Sequence, residues 1–468
     1  MTRFIQYGRI RLHNNSAASQ RGAALLIFFI LLSIGLLALF VSNIGAHNLK
    51  LERDAVTAKA LADAKIALIG FAVSGPLTNI CLASSNCPRP GDLPCPDLHN
   101  LGDPNAGTPT TPCSGNVIGR LPWKTLGLPD LRDASGERLW YVVSSNFSNS
   151  PRIFPLNSDT TGTLTVSEAD GAISHDATNQ TGAIAVILAP GSPLTRQDGF
   201  IQTRNPAGYN SPANYLDVAP SISPYLPTPE DNASFANSTV NGFINGEIKV
   251  NGAVVLNDRL ITVSKGELMP LIEKRVAKEV VHALNDYFCG VGNATTAGNC
   301  IAAGGNRFYP TPADFNNNTC LGTGAIPANC QSGAANRGRI PANPAVSWDA
   351  LSILRGAAGS QPKWFRANAW REQVYYAVAP ACVDGTSNCN GAGYLTLLNP
   401  PAPPLNAERF VLVVSGQLLP GQSRALASDK SVEANYLEDE NLTPLDDTYT
   451  RHPANSATPF NDTVLGIP

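Results

Sequence analysis

Residues 23–46 run for 24 positions without a charge, AALLIFFILLSIGLLALFVSNIGA. An apolar run of about 20 residues matches the helical span of a bilayer's hydrocarbon core. Arg3, Arg9, Arg11 and Arg21 precede the run and no acid does. That asymmetry predicts a cytoplasmic N-terminus, with everything after residue 46 beyond the membrane. A cleaved signal peptide has a shorter apolar core, roughly 7–15 residues, whereas a plain signal anchor fits the same pattern. The helical period continues past residue 46. Thr57, Leu61, Ala64, Leu68 and Phe71 recur at spacings of three and four. Lys59 and Asp63 form an i,i+4 pair, and Gly75-Pro76 supplies a stop. One helix over residues 23–74 would be roughly 78 Å long; two helices with a bend near Gly45 are the plainer alternative.

A second helix is predicted after Ser264. Ser264 and Glu267 make an S-x-x-E capping box, and Ile272, Val276, Val280, Ala283 or Leu284, and Tyr287 mark one apolar face. Its six charged residues, from Glu267 to Glu279, keep it out of a membrane. Short β-rich runs bounded by turn residues predict strands at 139–144, 183–188, 374–379 and 410–415. Asn251-Gly252 between β-branched residues predicts a hairpin over 247–256. Residues 218–246, rich in Pro, Ser, Asn and Asp, read as an inter-domain connection or a decorated loop.

These elements occur twice. Gly119-Arg120-Leu121-Pro122 matches Gly338-Arg339-Ile340-Pro341 at an offset of 219, and Asn214-Tyr215-Leu216-Asp217 matches Asn435-Tyr436-Leu437-Glu438 at 221. Both copies close on a similar tag, NDRLITVS at 257–264 and NDTVLGIP at 461–468. The expected division is a basic leader at 1–22, a transmembrane helix at 23–46, and two heads at 47–264 and 265–468. With its own helix, strands and cysteines, each head is expected to fold alone.

The 468 residues allow two or three cores, and a net charge of −3 carries no nucleic-acid footprint. Ten cysteines all follow the apolar run. An even number beyond the membrane predicts disulfides rather than zinc, because no CxxC pair exists and the six histidines are scattered. Local pairing predicts Cys81–Cys87, Cys95–Cys113, Cys289–Cys300, Cys320–Cys330 and Cys382–Cys389. Nucleophile-elbow, zincin, P-loop and dinucleotide motifs do not occur, so no enzymatic activity is expected. The one candidate ligand set is the loop CPDLHNLGDPNAG, where Asp97, Asn100, Asp103 and Asn105 offer oxygens suited to calcium beside His99. Trp123 and Trp348, following the two GR[LI]P elements, are expected near a helix–sheet junction, with Arg120 and Arg339 pairing to loop carbonyls or carboxylates.

The segment QRG-AALLIFFILLSIGLLALF resembles the N-terminus of type IV pilins and type II secretion pseudopilins. In that family a basic leader ends in Gly, and a prepilin peptidase cuts on the cytoplasmic face. The resemblance places the cut between Gly22 and Ala23. Most members carry Glu at the fifth mature position; here that position is Ile27, which argues against a major pilin and fits a minor pilin or tip pseudopilin. The resemblance thus implies an α+β fold: a long N-terminal transmembrane helix continuing into a pilin-like head, followed by a second tandem pilin-like head. The implied partners are the membrane, the prepilin peptidase, and other pilin or pseudopilin subunits packed through the N-terminal helix. The implied location is the inner membrane, single-pass, with the heads in the periplasm or on the cell surface. The implied role is to enter or cap a type IV pilus or type II secretion pseudopilus. A signal-anchored envelope protein for binding or adhesion is the alternative.

Overall fold

The computed structural model describes residues 20–75, 88–113, 117–152, 155–219, 230–234, 242–290, 293–295, 298–301, 307–317, 320–321, 336–341, 364–383, 389, 393–399, 402–443, 447–452 and 459–468. The chain forms two compact units, Met1–Ala58 and Lys59–Pro468. Helix α1, Gln20–Ser74, is continuous for 55 residues and stops before Gly75-Pro76 as its sequence predicts. In the second unit its turns bury Leu61, Ala64, Leu68 and Ala72, and Lys59 pairs with Asp63 at 2.6 Å on the exposed side.

The expected membrane-spanning helix is corrected. Among the described residues, no helix is long and apolar enough to cross a membrane. The described side chains of α1 lie mostly in its charged half, where Lys50, Glu52, Arg53, Asp54, Lys59, Asp63 and Lys65 interrupt every apolar window. Charges at that density oppose transfer into hydrocarbon. The single-pass inner-membrane location falls with it. The fold class changes too: the chain is mixed and sheet-rich, with four α-helices among the described residues.

Two four-stranded antiparallel sheets dominate. The first runs in the order β1 (Gly119–Arg120), β2 (Trp140–Val143), β3 (Ala185–Ala189), β4 (Arg259–Val263). The second repeats that order with β5 (Arg337–Arg339), β6 (Val374–Val378), β7 (Phe410–Val414), β8 (Thr463–Ile467). The registers agree residue by residue. Tyr141 lies opposite Gly119 and Ile187, and Ile187 opposite Ile261. Tyr376 lies opposite Gly338 and Leu412, and Leu412 opposite Leu465.

A smaller three-stranded sheet is duplicated as well. Val166–Glu168 pairs antiparallel with Ile173–His175 and parallel with Phe243–Asn245. Leu395–Asn399 pairs antiparallel with Ala402–Glu408 and parallel with Thr448–Thr450. The hairpin at Asn251-Gly252 joins Ile248–Val250 to Ala253–Leu256, with φ of 50° and 81° at the two turn residues, as the Asn-Gly signal predicts. It belongs to the first copy. There the tags are 43 residues apart, from Asn214 to Asn257, against 26 from Asn435 to Asn461.

Side-chain alternation on β2 sorts two cores. Trp140 and Val142 join Leu188, Tyr215 and Phe243 on one face. Tyr141 and Val143 face the helices on the other. Strands β2, β3, β6 and β7 are buried throughout, which explains why they read as continuous apolar runs. Helix α2, Lys265–Cys289, begins at the expected capping box and buries the predicted face, with both Ala283 and Leu284 inside. The largest apolar cluster draws on both halves at once: Leu61, Tyr141, Ile187 and Val263 with Ile272, Val276, Tyr376, Leu412 and Val464.

Candidate functional site

Of the predicted site residues, Gly22 and Ala23 lie within α1. Three of the expected disulfides are present, Cys95–Cys113, Cys289–Cys300 and Cys382–Cys389. Cys320 is disulfide-bonded, while Cys81, Cys87, Cys330 and Trp348 lie outside the described residues.

The oxygen-rich loop spends its ligands on itself. Asp97 is buried and accepts from Gly107 N at 2.6 Å and from His99 N at 2.9 Å, with His99 Nδ1 at 2.7 Å. Asp103 accepts from Asn105 N at 2.8 Å, an Asx turn. Asn100 accepts from Asn210. Among the described residues no group of three His, Cys, Asp or Glu side chains is placed to hold a metal.

The repeated motifs converge instead on a cluster built once in each half. Arg120, at the end of β1, is buried with its guanidinium between the rings of Trp140 (4.4 Å), Tyr209 (4.2 Å) and Tyr215 (4.4 Å). It donates to the Tyr209 carbonyl at 2.9 Å. Arg339, at the end of β5, lies over Phe315 (3.9 Å) and Tyr436 (5.1 Å) and donates to the carbonyls of Phe315 and Glu372. Carbonyl partners were expected; the aromatic cages were not. Each guanidinium is desolvated, and the ring faces and carbonyls replace water around it. A second arginine follows the same plan. Arg204 approaches Tyr215 and donates to Gly191 O, and Arg424 approaches Tyr436 and donates to Gly416 O. Trp123 is half-buried beside Gly107 and Lys124.

Beneath the tyrosines lie two pairs of carboxyl groups, Asp217 with Asp258 and Glu438 with Asp462, all buried. Asp217 N donates to Asp258 Oδ2 at 2.7 Å, and Asn257 N donates back to Asp217 Oδ2 at 2.8 Å. Glu438 N donates to Asp462 Oδ2, and Asn461 N to Glu438 Oε2, each at 3.2 Å. Side-chain amides complete both copies. Gln202 holds Asp217 and Asn232 holds Asp258, while Gln422 holds Glu438 and Asn441 holds Asp462. Burial raises the carboxyls of Asp217, Asp258 and Asp462 above their ordinary range, and the partner acid adds to the shift at Asp258 and Asp462. The tags NYLD/NYLED and ND carried this signal, because they supply Tyr215, Asp217 and Asp258 and their counterparts. Chemically, the cluster ties backbone to backbone: arginines hold carbonyls, and carboxylates hold amides.

No protein-family model, curated protein or solved structure matches this chain.

Proposed function

We propose that this chain is an assembly subunit of minor-pilin or pseudopilin type, which enters or caps a short filament through its N-terminal helix. Helix α1 carries the reading. It passes without a break from the Gly22-Ala23 position to Ser74. Leu49, Leu51 and Val56 stand 62%, 54% and 49% exposed along it. Side chains of this size left in water favour contact with further apolar surface. Helices of other subunits are the proposed partner. The body then serves as a doubled head, residues 47–264 and 265–468, stapled by disulfides that belong to an oxidising compartment. Its repeated arginine, tyrosine and carboxyl clusters are scaffolding in this reading, not catalytic groups.

The test is the mature N-terminus of protein isolated from its own host, combined with photocrosslinking from positions 49 and 56. The expected result is a chain starting at Ala23 whose helix crosslinks to pilin-like subunits. A chain retaining Met1, with no intermolecular crosslink, overturns the proposal.

A further inference from the structure

The two carboxyl pairs have a geometry that ordinary buried acids avoid. Each acid accepts a backbone amide offered by the segment carrying the other, so both carboxyls are drawn into one dry site. Asp258 Oδ1 and Asp462 Oδ1 are buried and meet no N–H or O–H donor among the described residues. An ionised oxygen in that position would be desolvated without compensation. Two ionised carboxyls in one low-dielectric site repel strongly, and sharing a single proton removes the repulsion. The same oxygen is orphaned at the equivalent position of both halves, although the halves differ in sequence, Asp217 against Glu438.

We infer that each half of the body is closed by a carboxyl clasp holding one shared proton, and that losing this proton loosens the base of the closing strand, β4 in the first half and β8 in the second. Asp258 and Asp462 stand immediately before those strands, and β4 and β8 are the edge strands of their sheets. The clasp ties each to the turn at Tyr215 or Tyr436. On release the proton passes to water, leaving two carboxylates opposed.

The surroundings of the two clasps differ. In the first, Arg204 and Arg196 act on Asp217, and Arg204 on Asp258, with Gln202, Asn232 and Asn257 as neutral partners. In the second, Asp462 faces Glu438 with the neutral partners Gln422, Asn441 and Asn461. The arginines of both halves are themselves paired with acids, Arg204 with Glu137, Arg196 with Asp198 and Asp231, and Arg424 with Asp159.

Infrared difference spectroscopy of the full chain at neutral pH tests the protonation. Subtracting the Asp258→Asn or the Asp462→Asn spectrum from wild type should each reveal one protonated carboxylic acid. No such loss in either difference overturns the inference. If a variant does not fold, wild type alone decides through hydrogen exchange. Between roughly pH 6 and pH 9, protection at 259–263 and 463–467 should fall at least about tenfold more than in β2 and β6, which supply the correction for base-catalysed exchange. An equal fall in edge and central strands overturns the inference.

Discussion

Asp159 Oδ1 and Arg424 Nη1 lie 2.8 Å apart and join the two halves of the repeat. Gln373 Nε2 donates to the other oxygen of Asp159 at 2.7 Å. The Arg424 side chain is 2% exposed, against 31% for Asp159. Removing the acid therefore leaves a buried guanidinium whose acceptors among the described residues are neutral, Asn435 O, Gly416 O and Gln373 Oε1. Asp159→Ala should cost about 2 kcal/mol, the scale of a hydrogen bond to a charged group. Denaturant midpoints of Asp159→Ala, Arg424→Ala and the double variant check it. Additive effects would show that the pair does not couple the halves.

Glu273 on α2 sits at the same seam and is 2% exposed. Burial pushes its carboxyl up to about 7, although Lys265 and Arg424 pull it down. A raised carboxyl binds its proton more tightly in the folded state. Its contribution is fully present below about pH 4.5 and is lost as pH rises to about 7. Over that window the folded body should lose about 3 kcal/mol from this residue. Glu273→Gln should flatten that part of the pH profile, as read by urea unfolding at stepped pH. An unchanged slope would refute it.

Gly119 and Gly338 open the two GR[LI]P elements, and at both a loop crosses the strand. A Cβ on Gly119 would meet Asp97 O at 2.8 Å, and one on Gly338 would collide with Ala313 O. The backbone bridges Asp97 to Arg120 and Ala313 to Arg339 hold those loops in place. Gly338→Ala should destabilise by about 1–3 kcal/mol, as overpacking does, with thermal unfolding as the measure. Gly102→Ala, where φ is +85° but nothing lies within 4 Å, separates the steric cost from backbone strain.

The shared core carries a prediction against autonomy. Leu61, Tyr141, Ile187 and Val263 pack in one cluster with Ile272, Tyr376 and Val464. A fragment of residues 262–468 would expose half of that cluster. It should be less stable than the whole and unfold without a cooperative transition, while residues 59–468 melt in one step. Calorimetry distinguishes these outcomes. A sharp transition in the fragment would show that the second half has a sufficient core of its own.

The helices, four of the central strands and the repeat itself were legible in the sequence, because period, capping and turn chemistry are local signals. The small sheets were not legible. Ile173–His175 is exposed and three residues long, too short and too polar for an alternation to register. The carboxyl clasps were half legible. The tags stood out as repeats, but Asp217 and Asp258 are 41 positions apart, and their pairing depends on how the sheet closes. Composition shows ligand types and not their orientation: Asp97 and Asp103 accept from backbone amides. The common core is not legible, because which residues of the two halves pack together depends on how the sheets and helices meet.

Asn368, in the second half, accepts through one oxygen from Arg89 Nη1 at 2.8 Å and from Leu156 N at 2.9 Å, and its carbonyl accepts from Asn157 Nδ2 at 3.0 Å. Duplication ordinarily leaves one copy at liberty to drift. Here three residues of the first half are fitted to a single asparagine of the second. A change at Asn368 removes the side-chain oxygen that Arg89 and the Leu156 amide share, so it has to be answered across the midline of the chain, and substitutions at 89 and 368 should appear in descendants as pairs.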